Sequence, residues 1–149
     1  MASVVIDDHL LRDILTGERA HDLDGIAAEG VATTGLWLFR LCSSLADPVV
    51  AGRLSAPLAG LPADIQARFR LQLAALPDDI EVLSLRELSW SMAELRHRHR
   101  SEGHGLSAAM LEALAAARWL DAGIAVSKHD VGQNLRSAAK ADGIAFLTL

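Results

Sequence analysis

Two adjacent carboxylates and a histidine follow the first apolar run of the chain, and side chains of these types bind cations or transfer protons. Asp7, Asp8 and His9 come directly after "VVI". Mg2+ and Mn2+ prefer carboxylate oxygens, and such a cation activates water and offsets the charge of a phosphodiester transition state. The structural alternative is that Asp8 is the N-cap of the helix that follows.

A second group of polar residues follows a later apolar run. Lys128, His129 and Asp130 come directly after "IAVS", which reads as a buried strand. Sites in open parallel sheets form at the carboxyl ends of the strands. We therefore expect Asp7 and Asp130 to lie at one edge of the sheet if their two strands are neighbours. Alternatively, Asp130 caps a helix that starts at Val131.

Short apolar strands alternate with helical segments along the chain, and this alternation positions both groups. It predicts an α/β fold of three layers, with a mainly parallel central sheet covered by helices on both faces. Residues 47–62, rich in proline and glycine, are predicted to form a loop with at most one helical turn. The long alanine-rich helix after Ser107 is predicted to end at Gly123. The predicted strands are "VVI", an extended piece in "GIAAEGVATT", "IEVLSL", "IAVS" and "IAFLTL".

Length, charge and cysteine content limit the classes of protein to consider. The 149 residues fit a single domain, 1–149. The single cysteine and the lack of a signal-peptide pattern predict a cytoplasmic protein. No apolar run is long enough to cross a membrane. The net charge of -5 argues against a protein that coats nucleic acid by neutralising phosphates, whereas a compact nuclease site remains compatible with it.

One basic run interrupts this acidic composition. The segment "ELRHRHR" holds Arg96, Arg98 and Arg100, separated by His97 and His99. These cations could follow a phosphate backbone. The alternative is a solvated helix end whose positive charges oppose the negative end of the helix dipole.

The segment "VVIDDHLLR" resembles the start of response-regulator receiver domains, in which two acids after the first strand help to bind magnesium. A receiver also carries a phosphoacceptor aspartate at the end of its third strand. The corresponding region here, "DPVVAGRLSAPLAGLPADI", has no strand that runs into an acid. A receiver-like signalling domain is therefore the minor alternative.

From Val4 to the C-terminus, the order of elements resembles the PIN domain, the nuclease fold of VapC-type toxins. In "VVIDDHLL", Asp7 matches the family's aspartate after the first strand, and Asp8 and His9 match the polar pair that follows it. In "LEALAAARWLDAGIAVSKHD", Glu112 matches the acid at the start of an alanine-rich helix, and Asp130 matches the acid in the turn after the next strand.

This resemblance implies a Mg2+- or Mn2+-dependent endoribonuclease with Asp7, Glu112 and Asp130 as metal ligands and catalytic residues. Asp8, His9, Arg40 and His129 would surround them. It also implies an RNA substrate, an antitoxin partner and a homodimer. For Glu112 the alternative is an ordinary exposed glutamate on a helix.

The chain departs from the family pattern at two positions. Ser127 stands one residue early for the family's Thr-x-Asp turn, so Asp130 belongs to a Ser-x-x-Asp sequence and a strict register would select His129.

The second departure weighs more. Family members usually carry a glutamate on the helix after the second strand, where "TTGLWLFRLCSSL" offers Phe39 and Arg40. A guanidinium at this place would pair with Asp7 and take the position of a metal charge. The second hypothesis is therefore a catalytically weakened PIN-like domain that acts by binding protein or RNA.

Overall fold

The computed structural model describes residues 4–18, 23, 25, 30–47, 52–129 and 132–149. Within them the strands are β1 (Val4–Ile6), β2 (Val31–Thr34), β3 (Ile80–Leu83), β4 (Gly123–Val126) and β5 (Phe146–Thr148). The helices are α1 (Asp8–Thr16), α2 (Gly35–Ala46), α3 (Gly52–Ala59), α4 (Ala63–Ala74), α5 (Leu85–Ser101), α6 (Ala108–Leu120) and α7 (Gln133–Ala141).

The five described strands form one parallel sheet in the order β3-β2-β1-β4-β5. β1 therefore lies at the centre, with Val5 opposite Ala32 of β2 and Ile124 of β4. All three residues of β1 are buried, as the β-branched run predicts for a strand covered on both faces. From the sequence we expect the residues that follow β1 and β4 to lie at one edge if these strands are neighbours, and the structure shows that they are.

Each face of the sheet carries its own apolar core. Val5 packs with α5, α6 and α7 in one cluster, whereas Val4 and Ile6 pack with α1, α2, α3 and α4 in the other. Successive side chains of a strand point to opposite faces. The three-layer α/β architecture with a parallel central sheet is thus confirmed.

Asp7, not Asp8, is the N-cap of α1. Its backbone is extended (φ -77°, ψ 175°), and its side chain accepts a hydrogen bond from the N–H of Leu10. The assignment of the cap to Asp8 is therefore wrong by one residue, because β1 ends at Ile6 and the helix begins directly after Asp7. Thr34 caps α2 in the same way, through the N–H of Trp37.

Two predicted boundaries differ from the structure. Within 47–62, residues Gly52–Ala59 form the helix α3 with Pro57 inside it, because burial of Leu58 in the core outweighs the hydrogen bond lost at proline. α6 ends at Leu120, and Asp121 takes the left-handed conformation after it (φ 52°). Gly123, predicted to stop this helix, is instead the first residue of β4.

None of the helices in the described ranges has the length and apolar character that crossing a bilayer requires.

Candidate metal centre at the carboxyl edge of the sheet

The carboxylate of Asp7 connects the ends of β1 and β4. Asp7 is 1% exposed. Its Oδ1 accepts a hydrogen bond of 2.9 Å from the N–H of Leu10, and its Oδ2 accepts one of 2.9 Å from the N–H of Ser127. The side chain is thus held by one helix amide and one strand-end amide, which fixes its orientation at this edge.

Burial raises the pKa of Asp7 from 3.8 to about 6, because a charged carboxylate is poorly solvated there. The hydrogen bonds from Leu10 and Ser127 oppose this increase, and the negative charge of Asp8 adds to it. Asp7 therefore gains from any cation placed beside it.

Asp8 and His9 form a buried pair next to Asp7. Asp8 is 0% and His9 5% exposed. Asp8 Oδ1 accepts a hydrogen bond from the backbone N–H of His9 and lies 3.0 Å from His9 Nδ1. The hydrogen bond with Asp8 raises the pKa of His9, and burial partly opposes this.

Arg40 contributes positive charge to this group. Its Nε lies 3.2 Å from Asp8 Oδ2, an ion-pair distance, and its side chain is 49% exposed. Asp8 Oδ2 nevertheless receives no hydrogen bond of good geometry. The sequence interpretation paired Arg40 with Asp7, and the ion pair that the structure shows is with Asp8.

Glu112 is fully buried, so its interpretation as an exposed helical glutamate is wrong. Its Oε2 accepts a hydrogen bond of 2.8 Å from the N–H of Leu36 in the first turn of α2. Its Oε1 makes no hydrogen bond, and a Cβ added at Gly35 would lie 3.4 Å from that oxygen. A buried carboxylate oxygen without a donor is energetically unfavourable unless a cation or water meets it.

The structure brings Asp7, Asp8 and His9 together, with one potential ligand atom from each within 4.8 Å of the others. Glu112 belongs to neither of the two such groups found in the described residues. His129 is exposed, and its backbone N–H donates to Ser127 Oγ. Asp130, the third predicted ligand, lies outside the described residues.

The atoms of this edge are compatible with a divalent cation. Among the described residues, buried atoms without a hydrogen bond include Asp8 Oδ2, His9 Nε2 and Glu112 Oε1. The potential ligand atoms of Asp7, Asp8 and His9 lie within 4.8 Å of one another, and two carboxylates with one imidazole suit Mn2+ well and Mg2+ less well. The residues therefore fit a metal, and Arg40 competes with it for Asp8.

The second group consists of His99, Glu102 and His104. Sequence reasoning noted His99 in the basic run and missed the group. The spacing His-x-x-Glu-x-His at the end of a helix could have revealed the group. Gly103 within it allows the chain to reverse.

The chain matches no protein-family model, and no curated protein matches it either.

Proposed function

We propose that this protein is a PIN-like, metal-dependent endoribonuclease of the VapC kind. The proposal rests on one observation, the convergence of Asp7, Asp8 and His9 at the carboxyl end of the central strand. Glu112 and Asp130 complete the proposed acidic set. A parallel sheet places its reactive groups at this edge.

Asp7, Glu112 and Asp130 would hold the cation, with Asp8 and His9 beside them. When bound, Mg2+ or Mn2+ supplies an activated water and charge stabilisation for phosphodiester hydrolysis. The chain's own contribution is positional. The amides of Leu10 and Ser127 fix Asp7, and Asp8 holds His9 Nδ1 so that Nε2 is the nitrogen left for proton transfer.

A basic cleft supports an RNA substrate. Its volume is about 550 Å3, and Arg96, His97 and Arg100 supply its polar lining together with apolar residues such as Leu111. Leu111 precedes Glu112 on α6, so the cleft and the acidic edge share one helix. Guanidinium groups contact phosphates without reading sequence, which suits a nuclease whose backbone contacts lie outside the acidic site.

The ion pair between Arg40 and Asp8 favours a second candidate function. A guanidinium beside a buried carboxylate supplies the charge that a metal would otherwise provide. In this case the fold acts by binding RNA or an antitoxin-like protein, and the acidic edge is structural.

Two measurements distinguish these functions. For a nuclease, millimolar Mn2+ raises the melting temperature because it binds the folded state, and the wild type cleaves single-stranded RNA only with the metal. Asp7→Asn should abolish both effects, whereas Asp64→Asn, at an exposed helical position, should change neither. Absence of a Mn2+-dependent shift in the wild type would leave the binding function.

A further inference from the structure

The end of α5 carries a second group of side chains that is unrelated to the carboxyl edge of the sheet. His99 Nδ1 lies 3.0 Å from His104 Nδ1 and 3.3 Å from Glu102 Oε2. The third side of this triangle, from His104 Nδ1 to Glu102 Oε2, is 3.7 Å. Three electron-rich atoms on three side chains therefore point at one location.

The local backbone brings these side chains together. Glu102 is the C-cap of α5, and Gly103 has a left-handed φ of 81° that reverses the chain. The N–H of His104 then donates to the carbonyl of His99 at 2.9 Å. This turn places the imidazole of His104 beside that of His99, with ring centroids 5.2 Å apart.

His99 is 0% exposed and is held from its other side. Its Nε2 lies 3.1 Å from Asp142 Oδ2, and Arg98 pairs with the remaining oxygen of Asp142. An ionised carboxylate only accepts hydrogen bonds, so Nε2 carries the proton. In neutral His99, Nδ1 then presents a lone pair to the other two atoms.

Without a cation, no single proton bridges all three of these atoms. One proton between the two imidazoles can bridge His99 Nδ1 and His104 Nδ1, but it leaves Glu102 Oε2 3.3 Å from the first and 3.7 Å from the second. A metal ion satisfies all three. Ligands about 2.0–2.1 Å from a tetrahedral zinc are about 3.3 Å from one another, which is the middle of the observed separations.

We propose that His99, Glu102 and His104 form a site for a zinc-like divalent cation, with Asp142 orienting the buried histidine. Two imidazoles and one carboxylate favour Zn2+ over Mg2+, and a carboxylate on the distal nitrogen of a ligating histidine is the usual outer contact in zinc sites. Glu102 and His104 are 43% and 24% exposed, so solvent reaches the site and water completes the coordination. The ion fastens the turn after α5 to the buried end of that helix.

The test uses the full chain without an affinity tag, treated with a chelator and then titrated with Zn2+ and, separately, with Co2+. We expect one equivalent of Zn2+ at this site, in addition to any that Asp7, Asp8 and His9 bind, and the intense visible bands of tetrahedral Co2+. Glu102→Gln and His104→Gln should each weaken Zn2+ binding more than about 100-fold, and Asp142→Asn about 10–100-fold. Glu102 and His104 are partly exposed, unlike His99, so their replacement should leave the fold intact.

The matched control is His97→Gln, which removes an exposed histidine of the same helix and should leave the affinity unchanged. Asp7→Asn should also leave it unchanged, which separates this site from the proposed nuclease centre. Zn2+ binding that is absent, or that persists unweakened in both Glu102→Gln and His104→Gln, would overturn the proposal.

Discussion

Oδ2 of Asp7 accepts a hydrogen bond from the backbone N–H of Ser127, a residue 120 positions further along the chain, at 2.9 Å. Since Oδ1 of the same carboxylate caps α1, one side chain joins the ends of β1 and β4 and the first helix. Asp7 therefore has a structural role through its hydrogen bonds beside its proposed role in metal binding. The following predictions separate these two roles.

Replacing Asp7 should loosen the end of β4. In Asp7→Ala the N–H of Ser127 loses its acceptor, and we expect its protection against hydrogen exchange to fall by about five- to tenfold, since a buried hydrogen bond contributes about 1–1.5 kcal/mol. NMR-detected amide exchange measures this. Ile124 is the internal control, because its N–H donates to the carbonyl of Ala145 and should keep its protection.

Without metal, stability should fall as the pH rises. The pKa of Asp7 is raised from 3.8 to about 6 by burial, so the folded state binds a proton more tightly than the unfolded chain does. Asp7 then contributes about 3 kcal/mol to the free energy of unfolding at low pH, and this is lost as the pH rises through about 6.

His9 acts in the same direction. Its pKa is raised above 6.5 by the hydrogen bond with Asp8, so its contribution is present below pH 6.5 and is lost as the pH rises through the folded-state pKa. Urea unfolding at a series of pH values in a chelating buffer measures both effects. Asp7→Asn should remove the loss between pH 3.8 and about 6, and an unchanged slope in this variant would contradict the assignment to Asp7.

Arg40, which pairs with Asp8, should weaken metal binding at the carboxyl edge of the sheet. Arg40→Gln removes the competing guanidinium, and Arg40→Glu adds the carboxylate that the PIN resemblance expects on this helix. We expect Mn2+ affinity to rise from wild type to Arg40→Gln and again to Arg40→Glu, because each step makes the group around Asp8 more negative. Calorimetric titration orders the three proteins. Equal affinities in all three would show that Arg40 does not compete.

Without metal, the stability of these proteins should follow the opposite order, with wild type the most stable and Arg40→Glu the least. Arg40→Glu places a further carboxylate near Asp8 and should be the least stable of the three proteins in a chelating buffer. A melting curve with and without Mn2+ therefore gives the largest stabilisation by the ion in Arg40→Glu.

Glu112→Gln should separate the hydrogen bond that Glu112 accepts from Leu36 from any role in metal binding. The amide oxygen can still accept from the N–H of Leu36, while the buried charge is removed. We expect the metal-free variant to be at least as stable as the wild type in urea unfolding, and its Mn2+-induced rise in melting temperature to be reduced. A full Mn2+ response in this variant would remove Glu112 from the metal centre.

Replacing Asp121 by glycine should stabilise the folded protein. The φ of 52° at Asp121 is left-handed, which glycine adopts without steric cost. Asp121→Gly should raise the free energy of unfolding by up to about 1 kcal/mol, because the cost of roughly 1–2 kcal/mol for a left-handed L-residue exceeds the backbone entropy that glycine loses. Asp64→Gly, in the first turn of α4, should instead lower it by about 0.5 kcal/mol. Chemical denaturation compares the two.

The architecture could be predicted from the sequence because local patterns of residues determine where strands and helices form. The buried run "VVI", the helix start after Ser107 and the alternation of short strands with helices all depend on neighbouring residues. These patterns correctly predicted a parallel sheet between two helical layers. They failed at α3, where burial of Leu58 overrides the signal of Pro57.

What each side chain does at the edge of the sheet was decided by tertiary contacts. The sequence identified Asp7, Asp8 and Glu112, but only the folded chain assigns the cap to Asp7, the ion pair with Arg40 to Asp8 and the hydrogen bond from Leu36 to Glu112. Likewise, His99 meets Asp142 only because α5 packs near the end of α7. Periodicity and propensity depend on residues a few positions apart, whereas the charge and hydrogen bonding of a buried group depend on atoms that the fold brings from distant segments.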